Sequence, residues 1–388
     1  MLSFRLPLTI IGRNLIASMA RHPRHLSQSS AASASRSIVH QVYPFPNIKI
    51  TSNYHLNIKP YDVLDCPDGN LLRISLQPKE TTKITSKVTA FLANFDAAIQ
   101  IDDQNIVIDT VDDLGTQVNA DELANAVECL IEVPIKSNLK VASKRDVNIQ
   151  NMYSDDINVT TNDGDVKTKN IHSVSLSLVA QNGHIQCDGT TLAKKMDVRS
   201  HGQKSIHLNQ VLGDSLTAIS ENGIISTNSC YAENSKFITQ KGGLHLKNVH
   251  KKSELYLLDG GDLDVTGFHG ILNATTNGGT LNLQLTEIYG ESSIEAQSPT
   301  VFNVNISEFV EQHTCLNVNA TQIDIDTTLT QFEKCQKDDG SGDELQTGNR
   351  DTNDDQLIIR TNGHLKLSKL SWMDSMKLKL AAKKLDAE

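Results

Sequence analysis

The chain has 388 residues, with room for one long or two ordinary domains, and only 4% are aromatic, which suits thin layers of aliphatic strands better than a bulky globular interior. Its formal net charge is −10. Phosphate recognition needs clustered Lys and Arg, so an acidic body argues against nucleic acid as a partner.

The first 37 residues, "MLSFRLPLTIIGRNLIASMARHPRHLSQSSAASASRS", contain five Arg and many Ser but no acid, the composition of a mitochondrial transit peptide. On a helix over residues 4–19, Phe4, Leu8, Ile11, Leu15 and Met19 share one face and Arg13 lies opposite. Arg13 interrupts the apolar run that a secretory signal requires. The expected address is therefore mitochondrial, in the matrix, with cleavage between Arg24 and Ile38. No stretch approaches eighteen apolar residues, so no transmembrane segment is expected.

Residues 47–145 hold strand-like runs such as "LLRISL" and "AAIQIDDQNIVIDTV", with "DELANAVEC" as a short helix. They read as the β-rich N-terminal part of a stack, covering its first open edge.

Residues 146–332 carry a repeat. The glycines Gly164, Gly183, Gly202, Gly223, Gly243, Gly261 and Gly279 are separated by 19, 19, 21, 20, 18 and 18 residues. Alternating aliphatics flank each one, such as Leu176 and Leu178 before Gly183, and Leu281, Leu283 and Leu285 after Gly279. Period-two alternation means strands with one buried face, and Asn-Gly supplies a turn that tolerates positive φ. The predicted fold is all-β: a β-solenoid of stacked two-strand coils of about 18–21 residues, with a β-rich N-terminal cap and a short C-terminal cap. A single coil buries too little to fold alone, which accounts for the repetition.

The acidic segment 333–356, "EKCQKDDGSGDELQTGNRDTNDDQ", is nearly free of aliphatics and reads as a disordered insertion. Residues 357–388 supply the last coil and a C-terminal cap, with Trp372 as an apolar plug.

"CLIEVPIKSNLKVAS", followed by coils such as "INVTTNDGDVKTKNIHS" and "ILNATTNGGTLNLQL", resembles the putative-adhesin domain family of β-solenoids, and Val133-Pro134 is the more specific element. The late "LSWMDSMKLKL" and the basic N-terminus are similar to the animal mitochondrial-type branch of that family. The resemblance implies a β-solenoid of non-enzymatic or unassigned character, and no catalytic residues come with it.

Chemistry is sparse. Asp262 and Asp264 in "LLDGGDLDVTG" share an outward face, but matching by the turn glycine places Leu244 and Leu246 one coil earlier and Thr280 and Asn282 one coil later. His250 and His269 fall close on neighbouring coils without a third ligand. "DTNDDQ" has calcium-loop acids, but Gln356 stands where glycine belongs and Asn362 where a bidentate Glu belongs. The cysteines Cys66, Cys129, Cys187, Cys230, Cys315 and Cys335 form no C-x-x-C and read as free thiols. Neither catalytic, metal nor cofactor-binding residues are assigned, and no cofactor is expected. The functional expectation is a non-enzymatic scaffold that binds an unknown protein partner along the solenoid face. The competing expectation is a secreted, calcium-assisted carbohydrate-active β-helix.

Overall fold

The computed structural model describes residues 37–62, 64, 67, 69–79, 85–93, 97–110, 120–329, 332, 334–336, 342–347 and 355–371. The leader, Cys66 and the segment from Trp372 onward lie outside the described residues. The chain divides into two units, Met1–Ala34 and Ser35–Glu388, and all that follows concerns the second.

That unit is an all-β solenoid, with 68% of the structure in strands and 5% in helices. Its strands belong to one hydrogen-bonded system in which successive coils pair in parallel, layer on layer. One wall runs through Leu139, Ile157, Leu176, Met196 and Leu216, and the other through Val147, Val166, Ile185, Ile206 and Ile225. These side chains are at most 1% exposed and meet between the walls. Their period-two spacing therefore becomes vertical aliphatic rows along the stack.

Several strands are 15–16 residues long, for example Val166–Ala180 and Ile185–Ser200. Each spans both walls, because what the sequence suggests is a loop is itself paired and forms a short third side. Asn170 (φ 53°) and Gly189 (φ 65°) make the corner, where the register between these strands shifts. Only Gly, or a residue such as Asn that tolerates the left-handed region, turns there cheaply.

At the other corner the turn glycines lie one above another for a steric reason. A Cβ added to Gly183 would lie 1.9 Å from Gly164 O, one on Gly242 1.9 Å from Gly223 O, and one on Gly279 1.8 Å from Gly261 O. Positive φ is not the general cause, since Gly164, Gly183, Gly223 and Gly242 do not have it. Two of the glycines picked out by spacing are not in this column. The turn between Ser200 and Ile206 is one residue longer than that between Ala180 and Ile185, so Lys204 rather than Gly202 lies beneath Gly223. In the next turn the stacked residue is Gly242, not Gly243. Hydroxyls close these turns: Thr161 Oγ1 donates to Gly164 O, while Ser220 Oγ and Thr239 Oγ1 accept the N–H of Gly223 and Gly242.

Order along the stack differs from order along the chain at both ends. Asn47–Ser52 and His55–Pro60, the first coil in sequence, lie between the coil formed by Asn105–Thr110 with Val127–Val133 and the coil formed by Asn138–Ser143 with Val147–Gln150. Likewise Gln356–Thr361 and His364–Lys369 lie between Glu291–Gln297 with Val301–Ile306 and Cys315–Ala320 with Gln322–Ile325. Each terminal coil is thus inserted one layer in from an edge.

The edges are covered by antiparallel strands. Leu71–Pro78 pairs with Val127–Val133 and Ser37–Gln41 with Leu71–Pro78. Within the acidic segment 333–356, Asp343–Gln346 pairs antiparallel with Cys315–Ala320 and with Lys334–Gln336. Pairing that edge gives even this polar stretch a hydrogen-bonding role. The helix Ala120–Ala126 runs directly into the strand Val127–Val133.

Candidate functional site

The short third side carries two columns of side chains. Inward lie Ile171, Thr191, Val211, Cys230, Val249 and Phe268, each at most 1% exposed. The neighbouring residues point outward. Tyr153, His172, Leu192, Leu212 and Tyr231 are successive register partners, and His250 pairs in register with His269.

The rings contact one another in two runs along this line, separated by Leu192 and Leu212. Tyr153 and His172 stack at 4.3 Å between centroids, and so do Tyr231 and His250. His250 and His269 are 5.2 Å apart, and Tyr289 meets His269 edge-on at 5.2 Å. Phe309, on the helix Glu308–His313, continues the line at 6.4 Å from Tyr289 and stacks on His313 at 4.5 Å. Offset and edge-to-face ring pairs each contribute about 0.5–1.5 kcal/mol beyond their buried area. Parallel in-register stacking places like positions at layer spacing and accounts for the positions from Tyr153 to His269. Tyr289 reaches His269 from two residues beyond the register partner Glu287, and Phe309 from a helix.

Polar contacts fix the middle rungs. Glu287 accepts a hydrogen bond from the Tyr289 hydroxyl and lies 3.2 Å from His269 Nε2. The bond to Glu287, then burial, then the negative charge of Glu287 and Asp355 push the Tyr289 phenol up to about 12. The phenol therefore stays a neutral donor at physiological pH.

Beside the ladder runs a row of asparagines. Asn170 Nδ2 donates to Asn151 Oδ1 at 3.2 Å, Asn228 Nδ2 to Asn209 Oδ1 at 2.8 Å, and Asn248 Nδ2 to Asn228 O at 3.2 Å. These amides tie the corner of each layer to the next.

At one end of the ladder is an open groove of about 470 Å³. Phe45, Tyr153, His172, Val174 and Leu192 line it, with Lys136 and Asp155 among its polar residues. Phe45 is 54% exposed, Tyr153 49%, Val174 46% and Leu192 42%. These side chains gather apolar surface at one water-facing place.

The residues weighed from the sequence have other placements. Hydrogen-bonded register puts His245, not Leu246, opposite Asp264, because the turn column runs through Gly242. On the other side Asp264 faces Asn282. Asp262 accepts the Thr280 N–H at 3.0 Å and so fastens the turn. Asn362 accepts the Ser298 N–H, and Asp355 accepts that of Gly290 at 2.7 Å. His250 and His269 do meet, as rungs of the ladder. Among the described residues no cluster of three His, Cys, Asp or Glu is placed to hold a metal ion.

The ladder went unread in the sequence, although its signal is there. Tyr153, His172, Leu192, Leu212, Tyr231, His250, His269, Tyr289 and Phe309 recur at intervals of 19 or 20 residues, a more even period than that of the glycines.

No family model matches the chain. A solved structure from Clostridium sporogenes described as a "putative cell adhesion protein" is similar to it at 9% identity, covering 87% of this chain and 100% of that one, with a TM-score of 0.21.

Proposed function

We propose that this solenoid is a non-enzymatic, adhesin-like scaffold that binds a protein partner along its ladder side, and that it works in the mitochondrial matrix. The observation that carries the reading is the outward line from Tyr153 to Phe309, rings at both ends with Leu192 and Leu212 between them. Tyr, His and Phe present large, stiff, amphipathic surface at small entropic cost, and such residues dominate protein interfaces. A regular side many layers long favours extended contact with a macromolecule over enclosure of a small substrate. The matrix address rests on the Arg-rich, acid-free composition of residues 1–37.

Proximity labelling from the intact protein in cells tests both parts. The expected neighbours are matrix proteins, and a subset should disappear when Tyr231 and Phe309 are replaced by Ser. An unchanged neighbour set in that variant would remove the ladder from the reading. A fluorescent protein carrying residues 1–40 should enter mitochondria, and its secretion would overturn the address.

A further inference from the structure

The groove at the Tyr153 end supports a more specific statement, which rests on the scaffold reading. It is built by the Val133-Pro134 element that stands out in the sequence. Pro134 ends the strand Val127–Val133, and a tight turn follows in which Ser137 donates through both its N–H and its Oγ to Pro134 O, at 3.1 and 2.6 Å. Ser154 Oγ donates to Ser137 O at 2.6 Å, and the Tyr153 N–H to Ile135 O at 2.9 Å, so the turn is fastened to the layer carrying Tyr153. Ile135 and Lys136 are therefore held exposed at a fixed tip beside Tyr153 and Phe45.

Two features of this groove restrict its occupant. Aromatic faces are already in use: one face of Tyr153 is stacked on His172, and Phe45 has the Lys136 ammonium 5.4 Å from its centroid. Sugar rings stack on open aromatic faces, whereas here each ring already has a partner on one side and Val174 and Leu192 add aliphatic surface. The second feature is charge. Lys136 and Asp155 stand at the same groove with opposite signs, and neither is in an ion pair among the described residues. A polyanion or an anionic membrane would meet one attractive and one repulsive charge.

We propose that the groove is the anchor point for an extended polypeptide segment of the partner. That segment lays an aliphatic or aromatic side chain on Val174 and Leu192, sets a carboxylate against Lys136, and sets a basic side chain against Asp155. Apolar burial supplies the affinity and the two rim charges fix the direction of the segment.

The test uses the intact protein to select from a displayed random-peptide library. Enriched peptides should share an apolar residue with an acid on one side and a base on the other. A synthetic peptide of that pattern should bind about tenfold or more weakly to Leu192→Asp. Selection on Lys136→Glu should replace the acid by Lys or Arg, and because Lys136 is exposed this variant should melt like the parent protein. Enrichment of peptides indifferent to both substitutions, or no enrichment, overturns the proposal. The proximity-labelling experiment separates the two readings. If neighbours depend on Tyr231 and Phe309 while the library yields no groove-dependent peptide, the anchor fails and the scaffold stands. If neighbours are also unchanged in the ladder variant, both fail.

Discussion

Gly261 rests directly on the peptide carbonyl of Gly242, so close that a methyl group on Gly261 would lie 2.0 Å from Gly242 O. The same relation links Gly242 to Gly223. The column is a contact between backbones, and any side chain there pushes two layers apart. Gly242→Ala should therefore cost about 3 kcal/mol or more, as overpacking against rigid backbone does. Gly202→Ala meets nothing closer than 3.8 Å and bears only the strain of φ +82°, about 1 kcal/mol. Urea unfolding of the two variants should rank them in that order, and equal costs would contradict the steric account.

The asparagine row gives a second ranking. Asn228→Ala loses the amide bond to Asn209, worth about 1 kcal/mol. Asn248→Ala loses its bond to Asn228 O and also places alanine at φ 47°, so its cost should approach about 2 kcal/mol. The same unfolding measurement checks this.

Acid should act on the inserted N-terminal coil. His55, on that coil, places Nδ1 2.8 Å from Asp146 Oδ2 in the next layer. The His55 side chain foremost, then the Asp165 N–H and the charges of His55 and Lys79, hold the Asp146 carboxyl down to about 2 against the opposing effect of burial. A depressed carboxylate contributes stability that is complete above its unfolded value, near about 4, and is lost as pH falls through about 2. Asp146 is 49% exposed, so solvent screening limits the effect to about 1 kcal/mol. Asp146→Asn should flatten this part of the acid unfolding profile, and an unaltered slope would exclude the contact as its source.

Thiol reactivity should separate interior from surface. Burial pushes the thiols of Cys129 and Cys187 up to about 12 and that of Cys230 to about 11, whereas Cys335 is exposed. In a Cys66→Ser background, a disulfide reagent should modify Cys335 in the native protein and reach Cys129, Cys187 and Cys230 only on unfolding. Peptide mass mapping identifies the modified sites.

The period and the alternating faces were legible in the sequence because both are local. Leu281, Leu283 and Leu285 declare an inward face without reference to any other segment. Exact register was less legible: a second glycine beside Gly242 and an extra residue before Ile206 hid which residue stacks on which, and the error carried through to the partner of Asp264. The inserted coils were harder to read, because Asn47–Ser52 pairs with Asn105–Thr110 and Asn138–Ser143, strands far away in sequence. Their shared Asn-Ile/Leu-Lys/Val start, found elsewhere only at Asn57, is the one local signal of that pairing. As for the site, the ladder mixes Tyr, His, Leu and Phe, so no single residue type displays its period.

Because each terminal coil is wedged beneath strands from farther inside the chain, the assembly cannot simply grow outward from one end during synthesis. The slot for Gln356–Lys369 lies between strands that precede it on the ribosome, so the layer beyond it cannot reach its native place until this segment is made. Removing this segment would take out an internal layer rather than an end one.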